Sequence, residues 1–421
     1  MKVYKFGGVS IKDAESVRNL VHILSSDKDN GPKLIVISAM ATVTNKLEKL
    51  LKAFLNLEGD QAIEILTELK TSHFNCLSEL ISNSNHPSFD DLANSFVEIE
   101  WLLEEGPQDP PDYLYDQIVS LGEIWSTKII ATYLKETGLN SQWLDARNYI
   151  ITDNNYKDAN VNWEKTQSLI EQKLKPILEK QTAITQGFIG STTENFTSTL
   201  GRDGSDYSGA IFASCLNAES LTIWKDVPGV LNADPKWFDE TSKIDQLSYH
   251  DAIELTYYGA NVIHPKTIKP LQNKNIPLYV KSYLNPDQLG TCINETQSVL
   301  PVPSFIFKIN QVLISIFPKD FSFIIEENLS TIFSLLHRHQ VKVNTMLNSA
   351  ISFSISVDDS EKVDALIESL QQDFKVKYNR GLELVTIRYY NPETIARVSV
   401  DKKIILEVKS RHTCQMVMKD L

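Results

Sequence analysis

The stretch Thr199-Leu200-Gly201-Arg202-Asp203-Gly204-Ser205-Asp206-Tyr207-Ser208-Gly209-Ala210 joins a cation and two flexible glycines to a helix-starting Ser-Asp pair. Gly201 and Gly204 let a backbone approach a ligand closely and take positive φ. Ser205 or Asp206 is placed to cap a helix running through Tyr207, Ala210, Ile211, Ala213 and Leu216. A helix N-terminus presents unpaired N–H groups, and an adjacent arginine can grip an anion through two bonds at once. The same residues also suit a surface loop whose Arg202 and Asp203 are merely solvated. The surrounding pattern separates the two.

Upstream, Val3 to Phe6 reads as a short strand ending in Gly7-Gly8, followed by an amphipathic helix through Ala14, Val17, Leu20 and Val21. Leu34 to Ala39 is wholly apolar, as expected of a strand covered on both faces. Residues from about 45 to 112 read as a long helical insertion, with Ser82 to Asp91 as a connection and no catalytic cluster. Leu114 to Lys135 reads as one further helix. Strands at Ser141–Leu144, Thr182–Thr185 and Leu221–Trp224 then alternate with helices at Trp163–Lys180 and Asp206–Leu216. Such alternation implies an α/β fold with a mostly parallel sheet flanked by helices, whose ligands bind beyond the carboxyl ends of the strands. The glycine turns after Phe6, Thr185 and Leu200 would gather there.

The pattern changes near Pro301-Val302-Pro303, a linker candidate. Beyond it come a strand (Val312–Phe317), helix (Ile325–His339), two strands (Val341–Leu347, Ile351–Val357), helix (Glu361–Asp373) and strand (Phe374–Tyr378). That βαββαβ order is ferredoxin-like. A shorter set follows from Leu384, reading as a cut-down repeat that lacks its last helix and strand and needs a partner surface. A plain dimerisation appendage fits the same residues.

With 421 residues the chain exceeds one compact core. A net charge of −13 argues against nucleic-acid or anionic-membrane partners but leaves room for a local phosphate pocket. Cys76, Cys215, Cys292 and Cys414 are far apart and show no metal-ligand spacing, which suits free thiols in a reducing compartment. With no bilayer-length apolar run and no signal-peptide core at Met1, a cytoplasmic location is expected.

Several short motifs carry chemistry. In Lys5-Phe6-Gly7-Gly8 a cation ends a strand and two residues without side chains follow, so backbone N–H groups can cradle phosphate while Lys5 neutralises charge. Ser38-Ala39-Met40 through Thr44-Asn45 offers hydroxyls between strand and helix, which also serves plain capping. Glu123 shares a helix face with Ser120 and Lys128, and reads either as a solvated surface acid or as the carboxylate for a substrate ammonium. Thr185-Gln186-Gly187 is a second glycine turn after a strand. Ile223 to Asp234 reads as a strand followed by a Pro-Gly turn. His264, in the segment ending at Pro265, suits a packed loop residue better than a base.

In this order the motifs KFGGVS (5–10), VISAM (36–40), SLGE (120–123), TQGFIGS (185–191), TLGRDGSDYS (199–208), WKDVPGVLNADP (224–235) and YGANVIHP (258–265) closely resemble aspartate kinase, of the amino-acid kinase fold. The C-terminal part looks like that family's paired ACT domains. The resemblance implies a catalytic domain over 1–300, a first ACT domain over 301–383 and an abbreviated ACT-like domain over 384–421. It implies transfer of the ATP γ-phosphate to the side-chain carboxylate of L-aspartate with Mg²⁺, the first step towards lysine, threonine and methionine. Lys5 would stabilise the transferring phosphoryl group. Thr44, Glu123 and Arg202 would hold aspartate, Glu123 on its ammonium and Arg202 on a carboxylate. Ser205 and Asp206 would organise the site around Lys5 and the phosphates. Gly7, Gly8, Lys225, Asp226, Leu231, Lys236 and Asn261 would face the nucleotide. No metal ligand set is implied.

The departures from the resemblance cluster on the nucleotide side. The family usually has threonine at Lys225, an aromatic at Leu231, lysine at Asn261 and glycine at Asp203. Losing a phosphate-facing lysine while gaining Asp203 should weaken ATP binding, unless Lys225 supplies the missing cation. Lysine-sensitive relatives carry acids at Asn344 and Ala350, so lysine, threonine, another metabolite or no effector all stay open. A homodimer through the C-terminal half is expected. No GxGxxG fingerprint marks a fused homoserine dehydrogenase. The competing readings are a nucleotide-impaired paralogue acting as an amino-acid sensor or regulatory subunit, and a kinase of the same fold acting on glutamate or another acid.

Overall fold

A computed structural model describes residues 1–421 except 28, 30, 239, 261, 262, 297–301 and 321. The chain forms two compact units, Met1–Val230 with Asp245–Ile253 and Ile263–Ser298, and Leu231–Ile244 with Glu254–Val262 and Val299–Leu421.

The first unit is built on strands β1 (Lys2–Phe6), β2 (Lys33–Ile37), β3 (Ser141–Trp143), β4 (Thr182–Gln186), a small hairpin β5 (Ile189–Ser191) and β6 (Thr197–Thr199), β7 (Ser220–Lys225), β8 (Gln246–Ser248), β9 (Leu278–Ser282) and β10 (Thr291–Asn294). The main sheet runs β3-β4-β2-β1-β7-β9-β10-β8. Neighbours from β3 to β9 are parallel and β10 turns antiparallel to β9. Ile35, Val36 and Ile37 are fully buried, as the apolar run requires of a strand covered on both faces. The glycine turns gather at the carboxyl edge, as the sequence pattern predicts.

Helices α1 (Ala14–Ser26), α2 (Val43–Leu55), α3 (Gly59–Leu80), α4 (Ser88–Glu105), α5 (Pro111–Val119) and α6 (Leu121–Glu136) precede β3. The single helix expected over 114–135 is broken: α5 stops and α6 starts around Ser120, whose hydroxyl donates to the Gln117 carbonyl at 3.2 Å instead of leaving the backbone to continue alone. The expected helix over 163–180 is α7 (Trp163–Leu169), a wide π turn at Ile170–Leu174 and α8 (Lys175–Leu178), because Pro176 has no N–H for a regular ladder. Then come α9 (Gly204–Cys215), α10 (Tyr249–Tyr258) and α11 (Pro265–Gln272). The residue at the start of α9 is Asp203, at φ 55° and with no side-chain cap bond. Ser205 and Asp206, expected as caps, sit inside the first turn instead.

The second unit holds β11 (Ser304–Pro318), α12 (Glu326–Arg338), β12 (Val343–Asn348), β13 (Phe353–Asp358), α13 (Glu361–Asp373), β14 (Phe374–Arg388), α14 (Pro392–Val398), β15 (Lys402–Lys409) and β16 (Thr413–Asp420). Its single antiparallel sheet runs β12-β13-β11-β14-β16-β15, as ACT-type repeats require. Two strands are longer than the sequence pattern suggests. Phe374–Tyr378 and Leu384–Arg388 are the two ends of β14, and Ser304–Lys308, given no element by the sequence pattern, pairs with the far end of β14. The shorter repeat thus borrows a strand from before the first.

No helix among the described residues is long and apolar enough to cross a membrane. The four cysteines are free.

The helical insertion has its own centre. His73 of α3 is wholly buried, edge-on to Trp125 at 5.2 Å, with Trp125 stacked on Phe96 at 4.0 Å. Its Nδ1 donates to the Leu69 carbonyl at 2.7 Å, and burial pushes the imidazole down to about 4. The unfolded chain therefore takes up a proton near pH 6.5 that the fold refuses until about pH 4, so stability falls as pH drops through that window. Relative to pH 7, the contribution lost at pH 4 is about 3 kcal/mol. A His73→Gln variant, less stable at pH 7, should close its gap to the parent as pH falls to 4; urea titrations at several pH values check this, and a constant gap would refute it.

Candidate active site

The strands of the main sheet end at one edge, and the residues that follow them meet there. Gly7-Gly8 follows β1, Ser38 follows β2, Gly187-Phe188 follows β4, Asp226 follows β7 and Tyr283 follows β9. With the start of α9 these residues, Gly187 apart, line a cavity of about 610 Å³. An open, mostly parallel sheet leaves its ligand crevice at this edge.

The cavity gathers Lys5, Gly7, Gly8, Thr44, Glu123, Arg202, Ser205, Asp206, Lys225 and Asp226. Leu231 and Lys236 do not line it and belong to the second unit, where Leu231 bridges to Lys243 and the Lys236 N–H donates to Asp234 at 2.9 Å. Asn261 lies outside the described residues.

Lys5, on buried β1, reaches across to the first turn of α9, where its Nζ is 2.5 Å from Asp206 Oδ1. Lys225, at the end of neighbouring β7, places its Nζ 3.5 Å from Asp206 Oδ2. Burial alone would push the Asp206 carboxyl up, but the two ammonium groups outweigh it and hold the group below the usual carboxylate range. One carboxylate between two cations leaves a net positive corner. Close packing makes room for it: a Cβ on Gly8 would stand 2.6 Å from the Ala39 carbonyl oxygen, and one on Gly187 would strike Ser205. The Ser205 hydroxyl is buried with no hydrogen-bond partner. A buried hydroxyl beside the unpaired N–H groups of a helix start, next to two ammonium groups, fits an anion with several acceptor oxygens.

Glu123 occupies the first turn of α6 and is 2 % exposed, which excludes the solvated surface reading. The Ala39 N–H donates to Oε1 at 3.3 Å, while Oε2 is buried with no partner. Burial pushes its carboxyl up to about 8, against the opposing Ala39 hydrogen bond and the Lys5 charge. A buried carboxylate with one oxygen unanswered is a receptor for a ligand cation. Thr44, on the second residue of α2, lines the same wall. Arg202 stands at the rim with its side chain 85 % exposed and its Nε 3.7 Å from Asp203.

Sequence reasoning missed Glu48, Tyr115 and Lys157, which also line the cavity. Glu48 is one helical turn after Thr44 on α2, a spacing that points to it. Tyr115, whose hydroxyl donates to Glu48 at 2.9 Å, and Lys157 belong to no motif. Among the described residues, no group of three or more His, Cys, Asp or Glu side chains is placed to hold a metal ion by itself.

Comparison with known proteins places these features in context. The profile of the amino acid kinase family matches residues 1–282. Lysine-sensitive aspartokinase 3 of Escherichia coli is 30% identical over 396 residues, covering 91% of this chain and 86% of that protein. A chloroplastic bifunctional aspartokinase/homoserine dehydrogenase 2 of Arabidopsis thaliana is 31% identical over 304 residues, 69% of this chain; the match covers 32% of that protein. Among solved structures, E. coli aspartokinase III in complex with aspartate and ADP superposes with a TM-score of 0.82 at 27% identity, over 99% of this chain and 96% of that one. The same enzyme in complex with lysine and aspartate gives the same score, over 99% and 95%.

Removing the carboxylate between the two cations should be costly. Asp206→Asn leaves Lys5 buried beside Lys225 without a counter-charge, a loss of about 3 kcal/mol. Adding Lys5→Met should restore part of it, since the pair is coupled. Urea unfolding of both variants decides this; strictly additive losses would refute it.

Proposed function

The chain belongs to the amino acid kinase family as an aspartokinase, and we propose that it phosphorylates the side-chain carboxylate of L-aspartate from MgATP in the cavity just described. The observation that carries this reading is the buried, half-unpartnered Glu123 in the same cavity as the Lys5–Asp206–Lys225 corner. One suits an ammonium, the other a phosphoryl group.

In this mechanism Glu123 binds the substrate ammonium and Arg202 the carboxylate that is not phosphorylated, with Thr44 against the substrate. The side-chain carboxylate then faces the γ-phosphorus. One of its oxygens forms the new O–P bond as the bond from the γ-phosphorus to the β,γ-bridging oxygen breaks, and ADP leaves with those electrons. The nucleophile is already ionised, so no general base is needed. Lys5 and Lys225 neutralise charge on the transferring oxygens, and Ser205 with the start of α9 hydrogen-bonds them. Asp206 holds the two lysines in place. Asp226 and Asp206 are the carboxylates in the cavity that would face a phosphate-bound Mg²⁺, which magnesium typically shares with one or two protein carboxylates. The bound ion would supply further neutralisation of the phosphates.

Lys225 would supply the cation that Asn261 does not. Regulation is placed in the antiparallel sheet. The bacterial relative is lysine-sensitive by name, and lysine is the first effector to try here, with threonine second. Asn344 stands in a network instead of an acid: Lys308 donates to its Oδ1 at 2.7 Å, and its Nδ2 donates to Gln311 and Asp358 at 2.9 Å each. A homodimer and the division near residue 300 complete the reading.

A coupled ADP-release assay with L-aspartate and MgATP, repeated with lysine and threonine, tests the activity; release that does not depend on aspartate would overturn it. The free Glu123 carboxyl, pushed up to about 8, is protonated below that pH and must ionise to meet an ammonium. kcat/KM for aspartate should therefore climb about tenfold per pH unit below 8 and level above it. Glu123→Gln should flatten this rise and lower kcat/KM by about a hundredfold, the upper range for losing one hydrogen bond to a charged group. Lys225→Ala should raise KM for MgATP about tenfold, the worth of one charge-assisted contact; an unchanged value would sink its role.

A further inference from the structure

We propose that Lys157 is a second cation for the substrate carboxylate assigned to Arg202, and that it makes the site demand a free carboxylate there. The inference rests on the reading of the cavity given above.

The backbone of Lys157 is left-handed, at φ 71°. A long side chain seldom takes that strained conformation, which persists only where its surroundings impose it. Here the imposing group is Asp116. This carboxylate on α5 is wholly buried, and its two oxygens accept the Lys157 N–H at 3.1 and 3.2 Å. The same carboxylate accepts the Thr199 N–H at 2.8 Å and the Thr199 hydroxyl at 2.6 Å. One buried acid thus clasps Lys157 to the strand that runs into Leu200-Gly201-Arg202. The Ala159 N–H closes the join by donating to the Thr199 carbonyl at 2.9 Å. A Cβ on Gly201 would stand 3.3 Å from the Lys157 carbonyl oxygen, so the two backbones touch one residue before Arg202.

Beyond this held backbone the ammonium lies 4.9 Å above the Tyr115 ring and 3.2 Å from Asp112, and Lys157 lines the cavity together with Tyr115 and Arg202. The Asp112 pair does not account for it. Both partners are about half exposed or more (48 and 66 %), a setting in which ion pairs contribute little. A glycine or asparagine would satisfy Asp116 through the same N–H with less strain.

Charge balance gives the lysine its role. The substrate brings two carboxylates and one ammonium. Glu123 answers the ammonium, and the Lys5 corner faces the carboxylate to be phosphorylated. The other carboxylate is left to Arg202, whose side chain is 85 % exposed and so weakened by water. Lys157, its backbone held by Asp116, lines the same cavity and adds a second cation for that carboxylate.

The test compares the wild-type chain with Lys157→Met, Lys157→Gly and Lys157→Arg, using L-aspartate and its α-amide as substrates with MgATP. Losing one charge-assisted contact should raise KM for aspartate roughly tenfold in the Met and Gly variants, more than any change in kcat. The preference for aspartate over the α-amide should shrink by a similar factor. Arg should retain most of both. Gly relieves the left-handed strain, so it should melt no lower than the wild type, which separates lost recognition from lost folding. A KM within twofold of wild type in both Met and Gly, or a rise in KM that only tracks a fall in melting temperature, overturns the role of Lys157. If the wild-type chain releases no ADP with aspartate, the reading of the cavity falls first and this inference with it; intact turnover with an unmoved KM removes Lys157 alone.

Discussion

The first unit is organised around a buried ion pair between a central strand and a helix start. Lys5 and Asp206 are each under a tenth exposed, and neither charge could be kept inside a protein without the other. The pair dictates that β1 and α9 meet at the carboxyl edge of the sheet. It also dictates that α9 packs on the sheet through small residues: a Cβ on Gly209 would stand 3.6 Å from that of Lys5, and one on Gly187 would strike Ser205. The strands on either side of β1 then deliver the remaining groups: Ser38 from β2 and Lys225 from β7. A pair that would be an expensive way to hold a sheet together is a suitable way to hold a cationic corner open for phosphate.

The same logic explains why Glu123 carries so much of the functional reading. A carboxyl with one oxygen on a backbone N–H and the other on nothing favours the neutral acid, so burial holds it protonated up to about pH 8. In the proposed function the substrate ammonium would supply the missing cation. On that reading the cost of burying the group would become selectivity for an amine.

Much of this was readable from the sequence where chemistry and local geometry coincide. Lys5-Phe6-Gly7-Gly8 and the run from Gly201 to Asp206 announce themselves because strand ends, glycines and charges occur together, and the structure brings those residues to one cavity. Other features have no local signature. Asp116 looks like any acid on a short helix, and its importance comes from Thr199 and Lys157, which are remote in the chain. The capping expectation for Ser205 and Asp206 failed because Asp203 took the left-handed position usually kept by glycine. The break at Ser120 is a matter of one hydroxyl competing for a carbonyl. The two halves of β14 were split by a charged, glycine-containing middle, Asn379-Arg380-Gly381, where Asn379 pairs with Leu313 and the register with β11 then shifts before resuming at Leu382. Leu231 and Lys236 were assigned to the nucleotide through resemblance alone, and they lie outside the lining of the cavity.

The length of β11 and β14 sets how the second unit can deform. Each is a fifteen-residue strand, and the two pair antiparallel along nearly their whole length, with irregular register only between Lys308 and Leu313. A strand cannot slide past its neighbour by one residue without turning every side chain to the opposite face. The halves of this sheet therefore behave as one plank with a single hinge line at Asn310-Gln311. Strain introduced at either end can pass along the plank as twist or bending at that line, but not as slippage.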